Sequence, residues 1–365
     1  MTEKLNSEDI YSWLLLALTP RVGPITMLKL INYFGSPKVV LEQSITSLEK
    51  IVTHAIAKLI VDKSATKEVD KSLDWINSNN NCSLITINDI LYPHSLKEIP
   101  DPPLILYLRG NKNLLNSNKL AIVGSRYPTT EGTENAFKFA HDLSNNGLTI
   151  TSGMAKGIDR YAHIGGLKGQ SSTIGVIGTG ININYPETNY DLYNKVIENG
   201  LLISEFPLDT PPVARNFPRR NRIIAGLSLG CLVIESTIDS GSLISANFAL
   251  EMGREVMAVP GSINNPLARG CHKLIKEGAK LIESTNDVLE ELRLDKKPLQ
   301  KRKTSLEVTS TDSILGIIGY KPTEIDTLCS KLNINFSDIC DKLLELELNG
   351  SIINCGENKY QRVFK

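Results

Sequence analysis

Eight short apolar segments between about residues 103 and 283 most constrain what this chain can fold into. Their apolar residues are continuous instead of alternating, as in strands that are buried on both faces. Helical patterns separate most of them, at 131–145, 158–168, 187–199, 218–228, 241–253 and 271–277. This repetition predicts an α/β fold with a doubly wound, mostly parallel sheet. The eight segments read "PLILYL", "KLAIVG", "LTITSG", "STIGVIG", "LLISEF", "CLVIES", "EVMAVPG" and "AKLIES".

The part of the chain before this pattern, residues 1–65, is predicted to form a small helical domain. Ser36 followed by Pro37 is typical of a helix start. The stretch "TPRVGPITMLKLINYFGSP" is similar to a helix-hairpin-helix element, with Arg21 where glycine is usual. Two roles stay open for it: its turn presents N–H groups to a nucleic-acid phosphate, or it is a packing module.

The C-terminal part is predicted to be a winged helix, with residues 66–290 forming the sheet domain, 291–308 a linker and 309–365 the last domain. The linker is lysine-rich and contains a proline. Two helical patterns and a hairpin around 356–358 follow it. The second helix carries four acidic residues against one lysine, so phosphates would repel it and a protein-contact or regulatory role is favoured. These residues are Asp338, Asp341, Glu345, Glu347 and Lys342.

Composition excludes several classes of protein. The chain has 365 residues with 40 basic and 40 acidic side chains, so any nucleic-acid site must be a local patch. The longest early apolar run, 13–18, is too short to span a membrane. Six scattered cysteines and five histidines show no metal spacing, which favours a cytoplasmic protein with reduced thiols and no metal. Gly178 and Gly180 lack the third glycine of the dinucleotide fingerprint and no P-loop occurs, so no cofactor is expected.

Four polar elements follow predicted strands and are suited to binding anions. Ligands of doubly wound sheets bind beyond the carboxyl ends of the strands, where loops lead into helix N-termini. Glycine lets the backbone approach a ligand, and helix starts offer unpaired N–H groups. The convergence of these elements predicts a phosphate site. They are Gly124, Ser125 and Arg126; Ser152, Gly153, Lys156 and Gly157; Arg219, Arg220, Asn221 and Arg222; and Gly241 with Ser242.

The arginine cluster in "NFPRRNRIIAGLS" (216–228) is the most unusual of these elements. No acidic residue lies between Asp209 and Glu235, so the arginines are expected to have no acidic partners within the protein. We therefore interpret the cluster as one wall of a pocket, in which phosphates pair with the arginines.

Other residues near the predicted site have two open interpretations each. Asp159 either favours the helix dipole at its own helix start or acts as an acid or base. Glu235 and Asp239 are either structural or act on a substrate. Tyr185 turns the chain or stacks on a base, and His163 is packed or on the surface. No nucleophile–base arrangement is legible, so the sequence favours binding phosphates over breaking bonds.

These motifs together resemble the DprA/Smf family of bacterial DNA-processing proteins. The matching stretches run in the family's order from about residue 90 to 285 and include "YPHSLKEIPDPPLILYLRG", "AIVGSR", "SGMAKGIDRYAH", "GTGININYPETNYDL", "SEFP", "NFPRRNRIIAGLS", "ESTIDSGSLISANFALEMGREVMAVPG" and "GCHKLIKEGAKLI". A helical N-terminal domain similar to a sterile-alpha-motif domain and a C-terminal winged helix are also features of that family. Two departures concern the site region: Lys156 stands where arginine is common, and Asp209 replaces a frequent glycine.

The resemblance implies a function and a set of site residues. It implies a non-enzymatic homodimer that binds single-stranded DNA through an extended Rossmann domain. Such a protein protects incoming DNA during natural transformation and loads the RecA recombinase onto it. The residues implied to form the DNA pocket are Gly124, Ser125, Arg126, Ser152, Gly153, Gly157, Phe217, Pro218, Arg220, Asn221 and Arg222, with Arg219 at a variable position.

Two rival functions stay open at this stage. A phosphoribohydrolase-like enzyme on a related scaffold would use the same phosphate-ready loops together with Glu235. Its usual Pro-Gly-Gly-x-Gly-Thr loop is replaced here by "IDSGSLISANFALE". A transcription regulator would read duplex DNA through the winged helix, and the acidic second helix of that domain speaks against it.

Overall fold

The computed structural model describes residues 7–295, 314–315, 318, 323–332, 335–356 and 358–363. The chain divides into two compact units, Met1–Leu299 and Gln300–Lys365. The predicted linker lies outside the described residues from residue 296 onward.

A nine-stranded sheet forms the centre of the first unit. The strand order is β1-β2-β6-β5-β4-β3-β7-β8-β9, and neighbouring strands from β6 to β9 are parallel. All eight predicted segments form strands, and the predicted fold class is confirmed. The strands are β1 (Cys82–Thr86), β2 (Ile105–Gly110), β3 (Lys119–Gly124), β4 (Thr149–Ser152), β5 (Thr173–Val176), β6 (Leu201–Ser204), β7 (Gly230–Ile234), β8 (Glu255–Ala258) and β9 (Lys280–Leu281).

Strand β1 was not predicted from the sequence. It lies at the edge of the sheet, where it pairs antiparallel with β2, and β2 pairs antiparallel with β6. Two antiparallel strands therefore extend the parallel sheet on one side.

Helices cover both faces of the sheet, as its continuous apolar strands require. One core contains Ile223 of α11 and Leu243 of α12 with Val123 of β3, and the core on the other face contains Phe139 of α8 and Ala162 of α9. All six predicted helical stretches are present. These six are α8 (Thr130–Asn145), α9 (Ile158–Lys168), α10 (Tyr190–Asn199), α11 (Asn216–Leu227), α12 (Gly241–Glu251) and α13 (Arg269–Lys276). Two further helices, α7 (His94–Lys97) and α14 (Thr285–Glu291), were not predicted.

Six helices precede the sheet within the described residues. They pack on its β2 and β6 side in one continuous core, in which Leu14 and Leu30 join Ile105 and Leu202. Hydrophobic packing therefore continues across the predicted domain limit at residue 65. The helices are α1 (Ser7–Leu18), α2 (Pro24–Phe34), α3 (Pro37–Leu41), α4 (Ile45–Leu48), α5 (His54–Val61) and α6 (Thr66–Ser78).

Both positions where glycine is replaced have left-handed backbone conformations. Arg21, before the N-cap Gly23 of α2, has φ 68°, and Asp209 has φ 58°. L side chains rarely adopt this region, which explains why glycine is usual there. Asp209 compensates through its carboxylate, which accepts hydrogen bonds from Lys71 and Asn182. The side chain of Arg21 is exposed.

Replacing Arg21 with glycine is expected to stabilise the protein. Relief of the left-handed strain outweighs the entropy lost by glycine, so the free energy of unfolding should rise by about 0.5–1 kcal/mol. Urea unfolding measures the change, and Arg21→Ala, which keeps the strained conformation, is the control. Equal stabilities for the two variants would show that the backbone conformation is not the cause.

The second unit contains the winged-helix elements within its described residues. They are β10 (Thr323–Glu324), α15 (Ile325–Leu332), α16 (Phe336–Leu348), β11 (Ile352–Asn354) and β12 (Lys359–Arg362), with strand order β10-β12-β11. Ile339, Leu343 and Leu346 of α16 face a small core. The acidic side chains of Asp338, Asp341 and Glu345 are exposed.

Candidate nucleic-acid interface

The predicted site residues gather at the point where the order of the strands reverses. The chain leaves β3 toward β4, β5 and β6 on one side and returns to β7 on the other side of β3. Ligands of doubly wound folds bind in the crevice outside the carboxyl ends of strands at such a reversal. The turns after β3 and β4 and the N-termini of α11 and α12 meet there.

The turn after β3 is built on close packing and on Glu235. A Cβ atom on Gly124 would lie 2.0 Å from the carbonyl oxygen of Ile234, so only glycine fits. The Ser125 N–H donates to the Glu235 carbonyl (2.8 Å). The Glu235 carboxylate accepts hydrogen bonds from the N–H (2.8 Å) and hydroxyl (2.5 Å) of Thr129, the N-cap of α8. Of the two interpretations of Glu235, this geometry supports the structural one.

The loop after β4 was predicted to bind an anion, and three of its N–H groups are instead bonded within the protein. The N–H groups of Gly153 and Ala155 donate to Asp159 Oδ2 (3.1 and 3.3 Å), and that of Met154 donates to His163 Nε2 (3.3 Å). The hydroxyl of Ser152 on β4 donates to the carbonyl of Ile122 (2.6 Å). Asp159 is therefore an internal acceptor for the loop, and His163 is buried.

Free backbone donors remain beside this loop. Within residues 7–295, the N–H groups of Arg126, Lys156 and Gly157 donate to no protein acceptor. Gly157 has φ 74°, and a Cβ atom there would lie 2.3 Å from the Ser125 carbonyl oxygen and 2.7 Å from the Arg126 carbonyl carbon. The two turns are thus in direct contact, and they bring these donors to the N-terminus of α9.

Arg220 is buried between the strands and does not project freely into solvent. Its Nη1 donates to the carbonyls of Gly153 (2.5 Å) and Val176, and its Nε has no protein partner. Burial raises the pKa of the nearby Asp159 carboxyl, and the charge of Arg220 opposes that shift. Burial, with a smaller contribution from Arg220, lowers the pKa of His163 to about 3, so this histidine is neutral.

The expectation that the arginines have no acidic partners is wrong for Arg219 and Arg222. Arg222 is buried, and its Nη2 lies 2.5 Å from Glu205 Oε2, while its Nε lies 3.3 Å from Asp101 Oδ2. Arg219 also approaches Glu205 (3.3 Å) and stacks over the ring of Phe206. Burial raises the pKa of Glu205, and both arginines oppose that shift. Glu205 and Asp101 lie outside the 209–235 window, and folding brings them to the cluster.

A cleft of about 160 Å³ remains open above these buried groups and is called the basic cleft here. The side chains of Arg126 and Lys156 are exposed on it, and no carboxylate of residues 7–295 pairs with either. The rings of Tyr185 and Phe217 stand 5.5 Å apart, and Tyr185 is 43% exposed. The lining residues are Arg126, Tyr127, Gly153, Met154, Ala155, Lys156, Tyr185, Pro186, Phe217 and Arg220.

A wider groove of about 610 Å³ continues from the basic cleft to the N-terminus of α12. Pro218, Asn221, Gly241 and Ser242 line it, so it joins the fourth predicted element to the others. The hydroxyl of Ser242 is already shared with Ser236 (2.8 Å) and Ser240 (2.7 Å). Gly241 is exposed at the first position of the helix.

The structure therefore separates the predicted residues by position. The basic cleft and the groove beside it bring together Gly124, Ser125, Arg126, Gly153, Lys156, Phe217, Pro218, Arg220, Asn221, Gly241 and Ser242. Gly157 packs beneath them, and Ser152 is fully buried. Arg219 faces a different cavity, beside α1 and α2, and Arg222 lines neither the cleft nor the groove.

One residue that organises the site was not predicted. Asn189 is buried, and its Nδ2 donates to the carbonyls of Met154 (2.9 Å) and Ala155 (3.0 Å). It lies about thirty residues after that loop in the sequence. Its position directly before α10 is typical of a helix cap and does not indicate a contact with the loop.

Two further observations concern the described residues as a whole. No group of three or more His, Cys, Asp or Glu side chains among them could hold a metal ion. None of their helices has the length and apolar character that a membrane span requires.

Comparisons with protein families and curated sequences point to one family. Residues 83–293 match the model of the DNA recombination-mediator protein A family, and 304–356 match the DprA winged helix domain. Protein Smf of Escherichia coli K12 is 40% identical over 295 residues, which cover 78% of this chain and 79% of that protein. DNA processing protein DprA of Streptococcus pneumoniae is 46% identical over 206 residues, covering 56% and 73%.

Solved structures agree with these sequence matches. The X-ray structure of DprA from Streptococcus pneumoniae has a TM-score of 0.68 and 37% identity, and covers 79% of this chain and 98% of that one. A DprA structure from Helicobacter pylori, described for its single-stranded DNA binding mode, has a TM-score of 0.54 and 29% identity, covering 59% and 98%. The chain belongs to the DprA/Smf family of DNA-processing proteins.

Proposed function

We propose that this protein binds single-stranded DNA in the basic cleft and acts as a non-enzymatic mediator of DNA processing. The observation that carries the proposal is one cleft that combines unpaired cations with two aromatic rings, one exposed and one half-buried. Arg126 and Lys156 are the cations, and Tyr185 and Phe217 are the rings. Proteins that bind single strands without base preference use this combination.

The phosphate would sit where the turns after β3 and β4 meet. The Arg126 guanidinium offers a planar fork for phosphate oxygens, and Lys156 offers a compact positive charge. The N–H groups of Lys156 and Gly157 at the start of α9 add uncharged donors and the positive end of the helix dipole. Gly241 at the start of α12 is the proposed contact for a neighbouring phosphate along the groove.

The aromatic pair would receive the bases. Every base has a flat face that stacks on an aromatic ring, so this contact tolerates any sequence. In a duplex the bases are already stacked on one another and do not reach such a ring without unstacking. The cleft therefore favours single strands over duplex DNA.

The physiological role that we propose is the one that the family resemblance implies. The Helicobacter pylori relative is described as binding single-stranded DNA, and the Streptococcus pneumoniae relative as a DNA processing protein. We propose that this chain, as a homodimer, protects incoming DNA during natural transformation and passes it to RecA. Binding and release suffice for that role. The rival enzymatic reading loses support because Glu235, its proposed carboxylate, is engaged by Thr129.

A salt-titrated binding comparison tests the proposal. The protein is expected to bind a poly-dT oligonucleotide more tightly than a duplex of the same length, and a mononucleotide weakest. The logarithm of the binding constant should fall linearly with the logarithm of salt concentration, by about 0.7 per phosphate contacted in a single strand. Fluorescence anisotropy measures all three ligands. Equal affinity for duplex, or release of free base from a nucleoside monophosphate, would contradict the proposal.

A further inference from the structure

In the loop after β4, side chains bond every backbone N–H and carbonyl group of residues 153–155. The three N–H groups of residues 153–155 donate to Asp159 and His163, as described above. The Gly153 carbonyl accepts from Arg220, and the carbonyls of Met154 and Ala155 accept from Asn189. Residues 153–155 thus have no backbone polar group that depends on solvent, whereas the N–H groups of Lys156 and Gly157 after them stay free.

This framework maintains a conformation that the loop would not adopt alone. Met154 has φ 57°, in the left-handed region that an unbranched non-glycine residue rarely occupies. Such conformations persist where the surrounding structure over-determines them, and they cluster at functional sites. The next residue but one is Lys156, whose side chain lines the basic cleft.

Four side chains bond the loop: Asp159 and His163 of α9, Arg220 of α11, and Asn189. Asn189 is uncharged and lies outside both the loop and α9. Arg160 fixes its amide orientation, because Nη1 of Arg160 donates to Asn189 Oδ1 (2.9 Å). The Nδ2 group must then face the loop carbonyls. Arg160 is itself held by a two-fold contact with Asp191 (3.0 and 2.9 Å).

We infer that Asn189 is a positioning residue that presets the loop, so that Lys156 and the N–H groups that follow it face the ligand before it arrives. Asn189 does not line the basic cleft. It acts through the carbonyls of Met154 and Ala155. This inference rests on the proposed function, because the ligand it serves is the DNA phosphate. Presetting lowers the ordering cost that binding would otherwise include.

A double-mutant cycle distinguishes this role from a general effect on stability. Asn189→Ala should weaken poly-dT binding about tenfold in the parent protein and no more than about twofold in a Lys156→Ala background, because the two residues act through one loop. Amide hydrogen exchange of Met154 and Ala155 should become faster in Asn189→Ala without DNA. Asn146→Ala is the matched control. It also removes a side-chain bond to one carbonyl, that of Asp142 (2.8 Å), at the far end of α8.

The outcomes separate this inference from the proposed function. If the parent protein binds no oligonucleotide, the proposed function fails and the inference fails with it. If the parent binds DNA and the two substitutions are additive, or Asn189→Ala binds as tightly as the parent, only the inference is overturned. Slower or unchanged amide exchange in Asn189→Ala would also overturn it, whatever the DNA affinity.

Discussion

Arg126→Glu is expected to weaken binding of a poly-dT oligonucleotide by at least about tenfold at moderate salt, since it removes one charged phosphate contact and adds a repulsive charge. Arg126, like Lys156, is an exposed cation of the basic cleft that has no carboxylate partner within residues 7–295. Its side chain can therefore turn toward a ligand without breaking an ion pair. The fold should tolerate the change, because Arg126 is not part of a core.

The salt dependence of poly-dT binding shows whether Arg126 contacts a phosphate directly. Arg126→Ala should reduce the slope of the logarithm of affinity against the logarithm of salt by about 0.7, the value for one phosphate of a single strand. Lys138→Glu is the charge-matched control. Lys138 is exposed in the middle of α8, away from the cleft. If Lys138→Glu weakened binding as much as Arg126→Glu, net charge and not a site at residue 126 would determine affinity.

The sheet could be predicted because its information is local. The inner parallel strands, such as β3, β5 and β7, are buried on both faces, so each leaves a continuous apolar segment in the sequence, followed by a turn and a helix. Strand β1 was missed because it lies outside this alternation of parallel strands and helices. Its place depends on antiparallel pairing with β2, such as Leu84 opposite Tyr107.

The electrostatic partners of the arginines could not be predicted because they depend on the order of the strands. Asp101 precedes β2 and Glu205 follows β6, and these strands are neighbours in the sheet although about a hundred residues separate them. The sequence window around the cluster contains neither residue. Part of the loop framework did have a signal, since Asp159 and His163 are four residues apart on one face of α9. No comparable spacing in the sequence links Asn189 to the loop.

Arg222→Ala is expected to destabilise the protein strongly while leaving DNA affinity largely unchanged. Arg222 and Glu205 are both about 95% buried at their side chains and lie 2.5 Å apart. Removing one member of a buried pair leaves an uncompensated charge, which costs about 3–5 kcal/mol of the free energy of unfolding. This result would replace the sequence-based expectation that Arg222 contacts phosphate, because Arg222 lines neither the basic cleft nor the groove. Urea unfolding and poly-dT binding, both measured at low temperature, give the two quantities.

Two further variants test whether the loss of stability in Arg222→Ala comes from the unpaired carboxylate of Glu205. Arg219→Ala removes the second arginine of Glu205, but the side chain of Arg219 is 42% exposed. Its loss should therefore cost at most about 1 kcal/mol, as for a surface ion pair. Adding Glu205→Gln to Arg222→Ala should restore part of the stability, since no buried charge then remains unpaired. If Arg222→Ala were as stable as the parent but bound poly-dT at least about tenfold more weakly, Arg222 would be a DNA contact and its pair with Glu205 would open on binding.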